Sequence, residues 1–129
     1  MKIAISTAVS QGSPDSPFEA RFGRAAGFVI VDTQTGDWEA FPNPALKAGG
    51  GAGVQVAQFV ADQGVQVAIS GDFGPKAYQA LTMAGIQMFL APTEGTLTVA
   101  ELLTHYQQGQ LKPMSSPSHP SPAPGRNRD

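Results

Sequence analysis

The sequence contains no cysteine among its 129 residues. This absence excludes disulfide bonds, zinc sites with cysteine ligands and iron–sulfur clusters ligated by the chain's own thiolates. Histidine is also scarce, with two residues, and Ser6, Ser10 and Ser70 have no evident histidine and aspartate partners. The residues for classical nucleophilic catalysis are therefore missing, and we predict that the protein is not an enzyme.

Long apolar runs and a strong charge imbalance are missing as well. No segment approaches the roughly 20 apolar residues of a membrane-spanning helix, and the opening MKIAIS is too short an apolar run for a signal peptide. The formal net charge is −2, which is not typical of a nucleic-acid-binding protein. We therefore expect a soluble, cytoplasmic protein that binds neither nucleic acid nor membranes.

The C-terminal segment differs in composition from the rest of the chain. Residues 113–129 read PMSSPSHPSPAPGRNRD and hold five of the 11 prolines and four serines. Such a segment buries too little apolar surface to offset the entropy lost on ordering. The sequence therefore predicts one folded domain over residues 1–112 and a disordered Pro/Ser-rich tail over residues 113–129.

Within the predicted domain, short apolar runs alternate with helical periodicity. The predicted strands cover 2–6, 27–32, 37–41, 65–70 and 86–90, and the predicted helices cover 54–63, 75–84 and 98–107. Gly64 and Gly85 are natural helix stops, and Thr98 with Glu101 forms a capping-box pattern. The order β-β-β-α-β-α-β-α predicts an α/β fold with a mixed five-stranded sheet and helices packed on it.

A glycine-rich stretch comes directly before the first predicted helix: Gly49, Gly50, Gly51, Ala52 and Gly53. Glycines let backbone N–H groups approach a ligand, and a helix N-terminus carries partial positive charge, so this stretch can cradle an anion. It is not a P-loop, because no Gly-Lys-Ser/Thr follows, and it lacks the third glycine of a Rossmann fingerprint. A plain surface connection explains the same residues, so both interpretations stay open.

Two other short segments could also bind an anion. Residues 70–75 (SGDFGP) lie where a strand ends and a helix begins, the place where ligands collect in open α/β sheets. The alternative there is a tight turn with a helix cap. Arg21 and Arg24 flank Phe22 and Gly23, and guanidinium groups offer several fixed donors. The alternative for this segment is a pair of solvated arginines around a core Phe22.

These segments, in this order, resemble the dinitrogenase iron-molybdenum cofactor family. The resemblance covers residues 1–112 and is carried by the opening strand, FGRA at 22–25, Asn43-Pro44, GGGAG at 49–53, GDFGPKA at 71–77 and AGI at 84–86. The family includes nitrogenase cofactor carrier and accessory proteins as well as many small stand-alone proteins. The resemblance implies a ribonuclease-H-like fold without nuclease activity.

The resemblance also implies non-covalent binding of an anionic metal–sulfur cluster that contains molybdenum with iron or copper. Such a cluster brings its own sulfides, so a chain without cysteine could hold it through backbone N–H groups, arginine and lysine. No residue is predicted as catalytic or as a direct metal ligand. The predicted cofactor-binding residues are Arg21, Phe22, Gly23, Arg24, Gly49, Gly50, Gly51, Ala52, Gly53, Gly71, Asp72, Phe73, Gly74 and Lys76.

The sequence departs from the family pattern at two places. Many relatives have histidine where this chain has Arg21, so a direct imidazole–metal bond at that position is excluded. Asp72 and Phe73 stand where smaller apolar residues are common, and Asp72 adds negative charge beside the predicted site.

Two other functions stay open. The chain could be an interaction module that docks an ATPase or an electron carrier without a metal, with the tail as a tether. It could also be a hydrolase whose divalent metal is held by Asp15, Asp32 and Asp72, since carboxylates are ligands for hard cations. For a cluster-binding protein, the expected protein partner is an ATPase or a cluster donor or acceptor.

Overall fold

Strands and helices alternate through the part of the chain that the computed structural model describes, which is residues 1–45, 52–92 and 97–114. The elements are β1 (Lys2–Thr7), β2 (Gly27–Asp32), β3 (Trp38–Pro42), α1 (Ala52–Asp62), β4 (Val65–Ser70), α2 (Pro75–Met83), β5 (Gln87–Leu90), α3 (Val99–Gln107) and β6 (Lys112–Pro113). Within these ranges, no helix has the length and apolar character needed to cross a membrane.

All the strands join one mixed sheet in the order β3-β2-β1-β4-β5-β6. β2 is antiparallel to β1 and β3, whereas β4 and β5 continue the sheet parallel to β1. This arrangement of the first five strands is the ribonuclease-H-like topology that the resemblance implied. The α/β fold class is therefore confirmed.

The sheet has a sixth strand, which corrects the predicted count of five. In β6, Lys112 pairs with Leu90 and Pro113 with Phe89, and the Met114 N–H donates to the Met88 carbonyl oxygen at 2.9 Å. Two residues carry no readable periodicity, and a proline signals a strand only weakly, although an edge strand tolerates it. Pro113 and Met114, assigned above to the tail, thus lie against the sheet, while residues 115–129 lie outside the described residues.

Side chains alternate across the sheet and divide the core into two layers. Ile3 and Ile5 of β1 pack on the face covered by α3, and Ala4 between them packs on the face covered by α1 and α2. The helices contribute buried aliphatic side chains to these layers, namely Val99 and Leu102 on one face and Val56, Val60 and Leu81 on the other. Burying each such side chain contributes on the order of 1.5–3 kcal/mol.

The helix boundaries follow local signals in the sequence. α3 begins with the predicted capping box, in which Thr98 accepts from the Glu101 N–H and the Glu101 carboxylate accepts from the Thr98 N–H. α1 ends before Gly64, whose φ of +78° suits glycine. α1 begins at Ala52, two residues earlier than predicted, because Gly53 adopts helical structure against a neighbouring helix instead of belonging to a loop.

The sheet has two ends with different structures. We call the end where β1, β3, β4 and β5 finish, and where β2 begins, the carboxyl end. At the other end, which we call the opposite end, Lys2 at the start of β1 pairs with Asp32 at the finish of β2. The segments 19–26 and 71–74 lie at the carboxyl end, and the chain leaves it at Asn43 and Ala45 toward residues 46–51.

Candidate functional site

Two predicted binding segments, about 50 residues apart in the chain, lie side by side at the carboxyl end. Arg21 and Asp72 form a parallel bridge, and the Phe22 N–H donates to the Asp72 carbonyl oxygen at 3.1 Å. The rings of Phe22 and Phe73 are both buried, with centroids 4.9 Å apart. This confirms Phe22 as a core residue. These two rings fix the backbones of the loops, and their own side chains face the protein interior.

Buried hydroxyl groups attach the first of these loops to the sheet. The Ser6 Oγ at the end of β1 lies 2.6 Å from the Glu19 carbonyl oxygen and 2.9 Å from the Ser70 Oγ. The Ser70 Oγ, at the end of β4, donates to the Ala20 carbonyl oxygen at 3.0 Å. Both serines are fully buried, so these bonds are made away from water and hold the backbone just before Arg21 in one place.

Asn43 is a positioning residue that the sequence reasoning did not assign to the site. Its Nδ2 donates to the carbonyl oxygens of Ala25 at 2.8 Å and Gly23 at 3.3 Å, and its Oδ1 accepts from the Ala45 N–H at 2.7 Å. The side chain is buried and joins the loop that carries Arg24 to the segment that enters the glycine-rich stretch. An Asn-Pro pair directly after a strand was the available signal, because asparagine often bonds to the N–H two residues on.

A glycine contact brings the beginnings of α1 and α2 together. A Cβ built on Gly53 would lie 2.9 Å from the Ala77 Cβ and 3.3 Å from the Ala77 N, so a larger residue would push the helices apart. Gly23 lies against the other side, with its ideal Cβ position 3.6 Å from the Gly53 Cα. Two helix N-termini and the 21–26 loop therefore converge at one place, where the partial positive charges of the helices add.

The N-terminus of α2 is open. Its N-cap residue is Gly74, so no N-cap side chain accepts a hydrogen bond from the first turn. The first helical bond runs from the Tyr78 N–H to the Gly74 carbonyl oxygen at 2.9 Å. Gly74 has an ordinary φ of −65°, and no atom of the described residues lies within 4 Å of its ideal Cβ position. Geometry within the described residues thus does not require glycine here. Its effect is to leave the first-turn N–H group of the exposed Lys76 approachable by a ligand.

Basic side chains surround this convergence. Arg24 and Lys76 are exposed and, within the described ranges, form no ion pair. Arg21 is 64% exposed, and its Nε lies 3.2 Å from the Glu19 carboxylate, which also accepts from the Arg21 N–H. Burial raises the pKa of Glu19, but the hydrogen bonds and charge of Arg21 outweigh this effect, so the pKa lies below its ordinary value. The positive charge of Arg21 is therefore partly neutralised, unlike that of Arg24 and Lys76.

The three aspartates of the metal-hydrolase hypothesis do not come together. Asp32 lies at the opposite end, where its Oδ1 is 3.9 Å from the amino terminus, whereas Asp72 follows β4 at the carboxyl end. Among residues 1–45, 52–92 and 97–114, no group of three histidine, cysteine, aspartate or glutamate side chains could hold a metal ion. The proposed carboxylate site is therefore wrong, because β2 runs antiparallel to β4 and carries Asp32 away from Asp72.

The predicted site residues that the structure describes do lie together at the carboxyl end. This group consists of Arg21, Phe22, Gly23, Arg24, Ala52, Gly53, Gly71, Asp72, Phe73, Gly74 and Lys76. Gly49, Gly50 and Gly51 lie outside the described residues.

This fold and this end of the sheet define a small α/β protein with backbone N–H groups and basic side chains suited to an anion. The chain belongs to the dinitrogenase iron-molybdenum cofactor family, whose model matches residues 1–109.

The chain is also similar to individual known proteins. The chain is similar to an uncharacterized protein of Methanocaldococcus jannaschii, with 30% identity over 115 residues that cover 87% of this chain and 90% of the relative. It is also similar to the apo form of the orange protein from Desulfovibrio gigas, with 36% identity, a TM-score of 0.83 and coverage of 92% and 96%. A Thermotoga protein provisionally assigned as NifB has 27% identity, a TM-score of 0.77 and coverage of 93% and 98%.

Proposed function

We propose that this protein binds an anionic metal–sulfur cluster, containing molybdenum with iron or copper, at the carboxyl end of its sheet. The cluster is a cargo held without covalent bonds, and the protein acts as an accessory carrier that passes it to or from a protein partner. Membership of the dinitrogenase iron-molybdenum cofactor family supports this proposal. The similar orange protein is described in an apo form, a term used for a protein that also has a ligand-bound form.

The observation that carries the proposal is the convergence of two helix N-termini at Gly53. Because Gly53 contacts Ala77, the first turns of α1 and α2 lie side by side, and neither turn contains an acidic residue. An anion with several sulfide ligands can accept hydrogen bonds from both first turns at once. A chain without cysteine has no thiolates with which to ligate the metal, so amides and cations are the donors it can offer.

The residues at this end would have different roles in binding the cluster. Arg24 and Lys76 would supply positive charge, while the amides after Gly74 and at the start of α1 would supply directional donors. Arg21 would contribute less, because Glu19 already accepts from it. Phe22 and Phe73 would act indirectly by holding both loops in place. Asp72 carries a negative charge beside these groups, which would limit the total charge that the site can attract.

Reconstitution with a coloured cluster tests this proposal. The protein is incubated with tetrathiomolybdate and copper, or with an iron–molybdenum precursor, and then desalted. We expect charge-transfer absorption to remain with the protein, and Arg24→Ala and Lys76→Ala each to lower the retained absorption. Lys2→Ala, at the opposite end, also removes one positive charge, and we expect this variant to retain as much absorption as the unchanged protein.

Two results would contradict the proposal. One is a colourless protein after desalting, and the other is equal retention in Arg24→Ala, Lys76→Ala and Lys2→Ala. A partner protein that co-purifies with metal-free protein would instead favour the docking-module alternative.

A further inference from the structure

One edge of the sheet is formed by β3, and the direction of its main-chain groups follows from two hydrogen bonds. The Asp32 N–H donates to the Asp37 carbonyl oxygen at 2.8 Å just before β3, and the Asn43 N–H donates to the Ala26 carbonyl oxygen at 3.0 Å just after it. In an antiparallel pair, every second residue bonds to the neighbouring strand. The odd-numbered residues of β3 therefore bond to β2, and its even-numbered residues turn their main-chain groups outward.

The outward residues of β3 are Trp38, Ala40 and Pro42. Among the residues that the structure describes, no group accepts from the N–H of Trp38 or Ala40, and proline has no N–H. Their side chains share one face, because Trp38 and Ala40 lie opposite Val31 and Val29 of the core layer under α3. Trp38 is 46% exposed, and Pro42 is exposed as well. We call these three residues the β3 edge, an apolar strip that also offers main-chain donors and acceptors.

The β3 edge can pair with a second copy of itself. An open edge strand adds a further strand through its free main-chain groups, and a two-fold dimer requires a surface that is complementary to itself. β3 has five residues with Ala40 at the centre, so two copies can pair antiparallel about Ala40 along the whole strand. The two Ala40 residues would exchange both of their hydrogen bonds, and each Trp38 N–H would donate to the Pro42 carbonyl oxygen of the other copy. Every outward N–H of β3 would then have an acceptor.

The side chains fit the same arrangement. On the face covered by α3, the exposed indole of Trp38 would lie directly beside the exposed ring of Pro42 in the second copy, so both would lose contact with water. On the other face, Glu39 would lie opposite the Phe41 ring of the second copy and not directly opposite a carboxylate.

Other symmetric registers are less favourable. An axis at Glu39 would place the two Glu39 carboxylates directly opposite each other, and such like-charge pairs destabilise a sheet. An axis at Phe41 would require the strand to continue past its end, but the Ala45 N–H there donates to the Asn43 Oδ1 in a turn. The sequence of β3 and the turn after it therefore favour the register centred on Ala40.

We propose that the protein forms a symmetric dimer in which the β3 edges of two copies pair antiparallel about Ala40. The paired strands run in opposite directions, so the carboxyl ends of the two sheets point in opposite directions and the pairing covers neither of them. The dimer therefore does not depend on cluster binding.

Sedimentation of the full chain over a range of concentrations tests the dimer. We expect the mass to rise toward that of a dimer at high concentration, since a short interface binds weakly. Trp38→Lys replaces the apolar contact by a charge, and Ala40→Pro removes an outward N–H while leaving the bonds to β2 in place, as an edge strand permits. Each should weaken the dimer roughly tenfold or more. Gln34→Lys adds the same charge in the exposed turn before β3 and should leave it unchanged.

Two further variants test the register. Pro42→Val supplies an N–H that would donate to the Trp38 carbonyl oxygen of the second copy, so we expect the dimer to become tighter by about tenfold. Ala40→Cys would place two thiols opposite each other across the axis. Because the chain has no native cysteine, mild oxidation should then link two copies through this position alone. Gln34→Cys, in the exposed turn, should stay unlinked.

The proposal would be overturned by any of three results. A monomer at every concentration would show that a second copy does not occupy the β3 edge, including the case in which a strand of a different protein does. Dimers of unchanged affinity in Trp38→Lys, which keeps the main chain of β3 and so decides the question if Ala40→Pro fails to fold, would place the interface elsewhere. A Pro42→Val dimer no tighter than the native one, together with unlinked Ala40→Cys, would contradict the register.

Discussion

At the carboxyl end of the sheet, Gly53 has an ordinary helical conformation. Glycine is needed there because the backbone and side chain of Ala77 lie where a Cβ would be. At the opposite end, the nearest atom to the ideal Cβ position of Gly64 is the flexible Lys2 Cδ, at 4.0 Å, and glycine is favoured there because φ is +78°. The two ends also differ in their buried polar side chains, because Ser6, Ser70 and Asn43 all lie at the carboxyl end. One end is therefore built to hold loops in fixed positions, whereas the other end connects helices to strands through local turns.

The largest effect is expected from Asn43→Asp. The change keeps the shape but replaces two N–H donors by an oxygen that faces the carbonyl groups of Gly23 and Ala25. A buried group left unsatisfied in this way costs about 3 kcal/mol of unfolding free energy. Chemical denaturation measures this cost. Thr35→Ala removes an exposed side-chain bond at the opposite end and should cost less than about 0.5 kcal/mol.

The next largest effects are expected from two glycine substitutions, one at each end of the sheet. Gly53→Ala should cost about 1–3 kcal/mol through overpacking against Ala77, and it should also lower cluster retention. Gly64→Ala should cost about 1–2 kcal/mol through its left-handed conformation, with retention unchanged. Adding Ala77→Gly should restore retention in Gly53→Ala. Failure of that rescue would mean that the helix contact does not determine the binding surface.

Gly74→Ser is expected to separate stability from binding. A serine at the N-cap accepts from a first-turn N–H and stabilises the helix by a few tenths of a kcal/mol, on the order of 0.3. The same bond occupies a donor that the cluster would use, so cluster retention should fall although the fold is slightly more stable. Thermal unfolding checks the expected gain in stability, and the absorption retained by the same sample checks the expected loss of binding. Unchanged retention would argue that the amides of α2 do not contact the ligand.

The smallest effect concerns Glu19. Its pKa lies below the ordinary value of 4.5 in the folded chain, so the carboxylate stabilises the fold fully above about that pH. This contribution fades as the pH falls through the lowered pKa. Unfolding midpoints of wild type and Glu19→Gln should therefore differ near neutral pH and converge in acid. A gap that stays constant down to strongly acidic pH would contradict this assignment.

The fold was largely predictable because its signals are local. The capping box at Thr98, the stop at Gly64 and the apolar run of β2 can each be read within about six residues, and all are confirmed. β6 was missed, because its two residues pair only through the tertiary fold.

The candidate site was predictable only in part. The glycine and arginine segments suggested it, but their meeting depends on contacts across the sheet, such as the Phe22 N–H to the Asp72 carbonyl oxygen. The burial of Asn43 and the ion pair that occupies Arg21 likewise depend on residues distant in the chain or on the path of a loop. The periodicity of apolar residues in the sequence does not indicate these contacts. The three-aspartate hypothesis was wrong for the same reason, because strand direction decides which carboxylates are neighbours.

The most direct test of the account is a titration of ¹⁵N-labelled protein with tetrathiomolybdate, followed by amide chemical shifts. We predict the largest shifts at the carboxyl end, in residues 22–25, at Gly53 and Gly74, and at Lys76 and Ala77. Residues 33–39 and the amides of Gly64 and Gly85 should remain unshifted. Shifts confined to the opposite end, or no saturable shifts at all, would contradict the claim that this end of the sheet binds the cluster.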